Sequence, residues 1–185
     1  MFPSYIQNPQ NCRFEGQDSD ENILLMLRAH PVTNFSWIIP ATLIFLVPFL
    51  ISRVVPFLGF NINFFPETTM LAFLIINYLI VLVIVFEGFL YWYFNVTLIT
   101  NEKVVDVDFS SVLYRSVDLA PLDKIEEADS TIAGFIGTIF NFGNVSVQTA
   151  GAKVAIEMKN VPKPAIVADL ILDLAKKPPK STGGI

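Results

Sequence analysis

The chain has 185 residues, of which 53% are hydrophobic and only 16% are charged, and its net charge is −5. Soluble domains average about 25% charged residues, so this composition predicts membrane-spanning segments. The negative charge disfavours nucleic-acid binding, which requires a clustered basic surface. A single cysteine, Cys12, excludes an intramolecular disulfide, and the polar first 34 residues do not resemble a secretory signal peptide.

The N-terminal part of the chain contains a tail and a short apolar run. Residues 1–20 are rich in polar residues and are predicted to form a flexible tail. Residues 21–30 contain five consecutive apolar residues, Ile23 to Leu27, between charged ones. This run is too short to span a membrane, and it favours a strand buried on both faces. An interfacial amphipathic helix is the alternative, because five residues do not define a period.

Two long apolar segments follow and predict transmembrane helices over residues 35–57 and 70–94. Crossing the hydrocarbon layer takes about 20 apolar residues. The intervening loop, residues 59–69, is too short to hold a domain, so the helices are predicted to form a hairpin. Both ends of the chain then lie on one side of a membrane. The Lys and Arg residues that flank the helices favour the cytoplasmic side.

Three polar residues within or beside these helices are candidate functional positions: Glu87, Asn77 and Arg53. A carboxylate in a span is costly, which makes Glu87 a functional candidate, although it lies one turn before Tyr91 and could instead reach the headgroups. Asn77 can hydrogen-bond between helices or protomers, and Arg53 can extend to the interface. Together they suggest an ion or proton pathway in an oligomer as one alternative function.

After the second helix the hydrophobic period changes from helical to alternating. The sequence Tyr91 to Tyr93 is typical of an interfacial aromatic belt. Residues 95–176 are predicted to form one domain that ends in an amphipathic helix beginning at Pro164, and residues 177–185 a second tail. A short helix or loop is expected over Ala133 to Phe140. The six predicted strands lie near Asn95, Val104, Val112, Ile125, Asn144 and Lys153.

Two further polar residues are candidates. The predicted inward face of the strand near Val112 consists of Leu113, Val117 and Leu119, and Arg115 interrupts it. An ion pair of Arg115 with Asp118 or Glu126 is expected, and a position toward the membrane surface is the alternative. His30 directly precedes the first span, so a structural role is expected, with pH sensing as the alternative. Neither His30 nor Cys12 has partners at metal-ligand spacing, so no metal or other cofactor is predicted.

Five segments resemble, in order and spacing, the bacterial pleckstrin-homology (PH) domain family of small membrane proteins. They are ENILLMLRAHP (21–31), YWYFNVTLITNEKVVDVDF (91–109), LYRSVDLAPLDKIEEA (113–128), FNFGNVSVQTAG (140–151) and NVPKPAIV (160–167). The resemblance implies an α+β membrane protein, with a transmembrane helical hairpin and a seven-stranded PH-like β-barrel or sandwich capped by a C-terminal α-helix. It also implies a position on the cytoplasmic face and brings no catalytic site.

The predicted function is a membrane-anchored binding or scaffold module at the cytoplasmic surface of the plasma membrane, and not an enzyme. Its expected partner, besides the lipid bilayer, is a membrane protein or a second copy. Residues 95–185 contain nine Lys and Arg against eleven Asp and Glu, so phosphoinositide binding is not expected. Because seven strands need one more than the six found after the hairpin, the helices are predicted to be inserted between the first and second strands. The alternative is a subunit of an oligomeric transporter or channel.

Overall fold

The computed structural model describes residues 4–9, 12–14, 16–59, 66–111, 114–150 and 152–176. The predicted tail at 177–185, and most of the loop predicted at 59–69, therefore lie outside the described residues. The chain divides into two compact units. One, the β-domain, consists of Met1–Thr33 and Tyr91–Ile185, and the other, the helical unit, consists of Asn34–Leu90.

The described residues form an α+β structure with eight strands and four α-helices. The strands are β1 (Tyr5–Gln7), β2 (Ile23–Arg28), β3 (Val96–Thr100), β4 (Lys103–Ser111), β5 (Tyr114–Pro121), β6 (Ile125–Thr131), β7 (Phe142–Thr149) and β8 (Ala152–Pro162). The helices are α1 (Phe35–Phe57), α2 (Glu67–Phe94), α3 (Gly134–Phe140) and α4 (Pro164–Ala175). Thus α2 begins three residues before the predicted Met70, and the segment expected to be a short helix or loop forms α3.

The first sheet has five antiparallel strands in the order β1-β2-β3-β4-β5. Strand β2 pairs with β3, with Leu25 opposite Ile99 and Leu27 opposite Thr97. Residues 23–28 are therefore a strand and not the interfacial helix that the sequence left open. Since α1 and α2 lie between β2 and β3 in the chain, the helices are an insertion within this sheet.

The second sheet has three antiparallel strands in the order β6-β7-β8, and α4 packs against it. Burying Leu, Ile and Val side chains stabilises a fold by about 1.5–3 kcal/mol each, so the shared core is the main source of stability in the β-domain. The most deeply buried members come from both sheets and from α4: Leu25, Leu27, Ile99, Val104, Val145, Val147, Ile156, Met158, Val167 and Ile171.

The prediction of a featureless N-terminal tail was wrong at β1. Residues Tyr5–Gln7 pair with β2, the Tyr5 ring packs against the core, and the Lys163 ammonium lies 5.6 Å from its centre. A three-residue strand carries no readable alternation, so its sequence gives no signal. Strand β1 covers an edge of β2 that would otherwise be open.

The seven-stranded PH-like barrel or sandwich predicted from the sequence is shown only in part. Strands β2 to β8 supply seven strands, and β1 is an eighth at the edge of the first sheet. Among the described residues these strands form two separate ladders, of five and three strands, rather than one closed ladder. The coarser expectation of an α+β domain with a C-terminal helix over its strands is what the structure shows.

The predicted inward face of β5 was wrong. Val117 and Leu119 are 45% and 57% exposed, whereas Ala120 is buried in the core. Alternation fails here because the outer face of this sheet is also apolar, with Leu98 and Val105 in a second buried cluster. When both faces carry apolar residues, a period of two does not distinguish inside from outside.

The helical unit contains two helices that are long and apolar enough to cross a membrane, by length and composition. Within the unit, the rings of Phe45 and Tyr78 lie 5.4 Å apart. A Cβ atom added at Gly88 would lie 2.5 Å from the Trp37 ring, so only glycine fits at this contact.

Candidate functional site

The candidate site is the junction, which we define as residues 28–31 and 91–95 of the β-domain, where the chain leaves for α1 and returns from α2. Trp92 is buried, and its indole N–H donates a hydrogen bond to the carbonyl oxygen of Ala29 at 2.9 Å. The two ends of the insertion are therefore held together inside the β-domain. This corrects the prediction that Trp92 belongs to an interfacial aromatic belt, although Tyr91 beside it is exposed.

Aromatic packing continues around the junction. The Arg28 guanidinium lies 5.0 Å from the centre of the Tyr93 ring, a cation–π distance. The rings of Phe94 and Phe109 stack at 5.2 Å. The side-chain oxygen of Asn95 accepts a hydrogen bond from the backbone N–H of Phe109 at 2.5 Å. The end of α2 is thereby fixed to strand β4.

His30 joins the junction to the second sheet. Its ring stacks on Phe142 at 5.2 Å and lies 6.2 Å from Phe140, and its backbone N–H donates to the carbonyl oxygen of Asn160 at 2.7 Å. Its Nδ1 accepts a hydrogen bond from the backbone N–H of Val32. Burial lowers the pKa of His30. These contacts agree with the expected structural role and favour a neutral imidazole at pH 7.

A buried ion pair lies at the other end of β2 and β3. Glu21 accepts a hydrogen bond from the Thr100 hydroxyl at 2.6 Å, and its other carboxylate oxygen lies 3.0 Å from the Lys103 ammonium. Burial alone would lower the pKa of Lys103, but its hydrogen bond to Glu21 and the nearby negative charges raise it. Asp18 and Glu102 also converge on this cluster, and the Lys103 ammonium lies 3.7 Å from the Asp18 carboxylate. The cluster therefore connects the adjacent ends of β2, β3 and β4.

Asp106 is the most perturbed acid in the β-domain. Burial raises its pKa to about 6, and the charges of Asp108 and Asp118 act in the same direction. The Thr97 hydroxyl donates a hydrogen bond to it at 2.5 Å, and Lys159 also offsets the shift in part. Perturbed acids are candidate functional groups. The sequence gives no signal for it, because Asp106 alternates with Val105 and Val107, a pattern that is also typical of an aspartate in solvent.

The structure does not gather Glu87, Asn77 and Arg53 into one site. Glu87 is exposed, and the neighbouring Gly88 lies against Trp37 of α1. Arg53 is also exposed and lies 16 residues after Trp37 in α1, with its guanidinium 5.6 Å from the centre of the Phe49 ring. That separation corresponds to about 24 Å along a helix.

The two remaining candidates from the sequence are Asn77 and Arg115. Asn77 is buried within the helical unit, and its side-chain oxygen has no hydrogen-bond partner among the described residues. Buried amide side chains in apolar helices commonly hydrogen-bond to a neighbouring helix, so a structural role is favoured for Asn77. Arg115 lies opposite Phe109 in the β4–β5 ladder, but its side chain lies outside the described part of the chain, so its ion pair stays a prediction.

The order of strands, the inserted helices and the C-terminal helix agree with one family. The bacterial PH domain family matches residues 24–175, which is most of the chain, so the chain belongs to this family. The match includes β2 and both apolar helices and leaves out β1. Comparison with curated proteins and with solved structures gave no match. Membership supports a binding or scaffold module as the class of function.

Proposed function

We propose that the protein is a membrane-anchored PH-type module that binds a membrane protein, or a second copy of itself, at the cytoplasmic surface of the plasma membrane. Both ends of the chain lie on the cytoplasmic side in this proposal. The observation that carries it is the insertion of two apolar helices between β2 and β3. An anchor at one end would leave a domain free on a linker, whereas an anchor inside a sheet holds it by two connections.

The insertion gives the proposal a mechanical basis. The two ends of the insertion are adjacent, because Arg28, the last residue of β2, pairs with Val96, the first residue of β3. The Trp92–Ala29 hydrogen bond holds the same two segments together. A domain attached in this way is joined to its anchor by two segments of chain instead of one. Such a geometry suits a module that positions a membrane partner.

The most suitable binding surface is the outer face of β5. Val117 and Leu119 on this strand are large apolar side chains that the β-domain leaves uncovered. Such side chains can pack against an apolar segment of a partner. The negative charge of the domain disfavours phosphoinositides as its ligand.

We also propose that the protein is not an enzyme. The titrating groups with shifted pKa values among the described residues, Asp106, His30 and Lys103, lie in different surroundings, and Lys103 is paired with Glu21. Asp106 hydrogen-bonds Thr97, and His30 stacks between aromatic rings. Catalysis needs a nucleophile or base beside a group that orients it, together with a place for substrate. Family membership favours binding over catalysis.

A transporter or channel subunit is the second candidate. It is supported by the exposed carboxylate of Glu87 on α2, a costly group in a lipid-facing position. Since Glu87 and Arg53 lie far apart on the helical unit, a pathway would need residues from several copies. A transporter or channel function therefore requires a multimer, and it predicts ion flux that depends on Glu87.

The test uses the full chain in bacterial membranes washed with alkaline carbonate. The proposal expects the chain to stay in the membrane and to form discrete crosslinked products that Leu119→Asp abolishes. Ile166→Asp is the matched control, since Ile166 is similarly exposed, on α4, and its products should be unchanged. Release of the chain by carbonate would refute anchoring. Ion flux into liposomes that Glu87→Gln abolishes would favour the transporter instead.

A further inference from the structure

Helix α3 and the residue two before it present an apolar surface that the β-domain does not cover. Phe135 is 80% exposed, more than any other large apolar side chain in the described part of this domain. Residues 131–143 contain no charged side chain. We call this the α3 surface; its exposed members are Ile132, Phe135, Ile136, Ile139 and Phe140. Monomeric soluble proteins rarely leave such a contiguous patch uncovered.

The backbone around α3 keeps these side chains on the outside. Gly137 is the buried residue of the helix, and a Cβ atom there would lie 3.0 Å from the carbonyl oxygen of Phe142. A Cβ atom at Gly143 would lie 2.2 Å from the carbonyl oxygen of Thr131. Because glycine takes the buried position of α3, the helix backbone lies close to Phe142 at the start of β7, and the phenylalanines of α3 are on its exposed side. Asn141, in the left-handed conformation, ends the helix.

The α3 surface lies beside the point where the chain leaves the β-domain for the first apolar helix. Phe140 is 6.2 Å from the His30 ring, and Thr33, three residues later, is the last residue of the β-domain before α1. The Thr33 hydroxyl donates back to the carbonyl oxygen of His30 at 2.6 Å, so the connection is compact. The end of the domain that carries α3 is thus the end from which the helices depart.

We propose that the α3 surface inserts into the interfacial layer of the bilayer, as a third membrane contact in addition to α1 and α2. The inference rests on the membrane anchoring in the proposed function. Lipid fits this surface better than a protein partner, because protein interfaces need about one hydrogen bond per 100–200 Å². Thr138 on α3 does not offer a hydroxyl proton to a partner, because its hydroxyl already donates to the carbonyl oxygen of Gly134. A charge-free apolar helix with two phenylalanines is suited to shallow insertion.

The test places nitroxide spin labels in the full chain in phosphatidylcholine and phosphatidylglycerol liposomes. Cys12→Ser removes the native thiol, and single cysteines replace Phe135 on α3, Leu82 on α2 or Ile166 on α4, which are all exposed. Collisions with oxygen report lipid, and collisions with a water-soluble nickel complex report water. Labels at Phe135 and Leu82 should collide preferentially with oxygen, and the label at Ile166 with nickel. Ile139→Cys replaces Phe135→Cys if that variant does not fold.

The outcomes separate this inference from the anchoring on which it rests. A label at Phe135 that behaves like the one at Ile166, while Leu82 reports lipid, overturns the inference alone. If Leu82 also reports water, the anchoring fails and the inference with it. Line broadening at Phe135 that disappears on dilution with unlabelled protein would show a second copy on the α3 surface, which also overturns the inference.

Discussion

The indole N–H of Trp92 lies 2.9 Å from the carbonyl oxygen of Ala29 and joins residues that are 63 positions apart in the chain. Between them run both apolar helices. The inserted segment therefore begins and ends at one place in the β-domain. A single buried side chain of the β-domain therefore holds the two ends of the segment that carries both apolar helices.

We expect Trp92→Phe to lower the free energy of unfolding by about 1–3 kcal/mol, because it leaves the partly buried carbonyl of Ala29 without its donor. Thermal unfolding of the purified full chain in detergent measures the change. Tyr91→Phe is the control, since the neighbouring Tyr91 is 47% exposed. An equal effect of both substitutions would show that the indole hydrogen bond has no special role.

The contact between Gly88 and Trp37 gives a second prediction, within the helical unit. Gly88→Val should destabilise this unit by about 1–3 kcal/mol, because its Cβ atom would overlap the indole ring. Trp37→Leu in the same chain should recover part of the loss by making room. Val83→Ile, at a position 61% exposed on the same helix, is the control and should have little effect. Lack of rescue by Trp37→Leu would contradict the contact.

Asp106 predicts a particular pH dependence. Its pKa in the folded state, about 6, lies above the ordinary value of 3.8, so the folded state binds the proton more tightly. The contribution of this group is therefore fully present below pH 3.8 and is lost as pH rises through 6. Asp106→Asn, which keeps an acceptor for Thr97, should raise stability at pH 7.5 by about 1–3 kcal/mol and change little at pH 4.

Urea unfolding of wild type and variant across this pH range measures the difference. The exposed Asp169 on α4 provides the control, because Asp169→Asn makes the same substitution at the protein surface. A difference between Asp106→Asn and wild type that does not vary with pH would show that the carboxyl titrates normally.

The sequence predicted those parts of the fold that follow from long or repeated patterns. Helices α1 and α4 appear where apolar length and periodicity placed them, and the helix prediction for α2 missed its start by three residues. The β2 strand was reached by counting the strands needed for a closed domain. Strand β1 was missed because three residues carry no period.

The side chains of the candidate site were less predictable, for a physical reason. Trp92 and Tyr91 are adjacent aromatic residues, yet one is buried against Ala29 and the other is exposed. Asp106 lies on the same face of β4 as the core residue Val104, although alternating apolar residues beside it suggested the reverse. Where both faces of a sheet are apolar, local pattern does not assign the inner face, and only tertiary packing does.

Replacing Pro31–Leu90 with a short Gly–Ser linker tests the central claim most directly, namely that the helices anchor an otherwise complete β-domain from within. The account predicts that the full chain stays in carbonate-washed membranes, whereas the shortened chain is recovered in the supernatant and unfolds cooperatively. It does so because β2 and β3 still pair and Trp92 still reaches Ala29. A shortened chain that stays in the washed membranes, or that has no cooperative unfolding transition, would contradict the account.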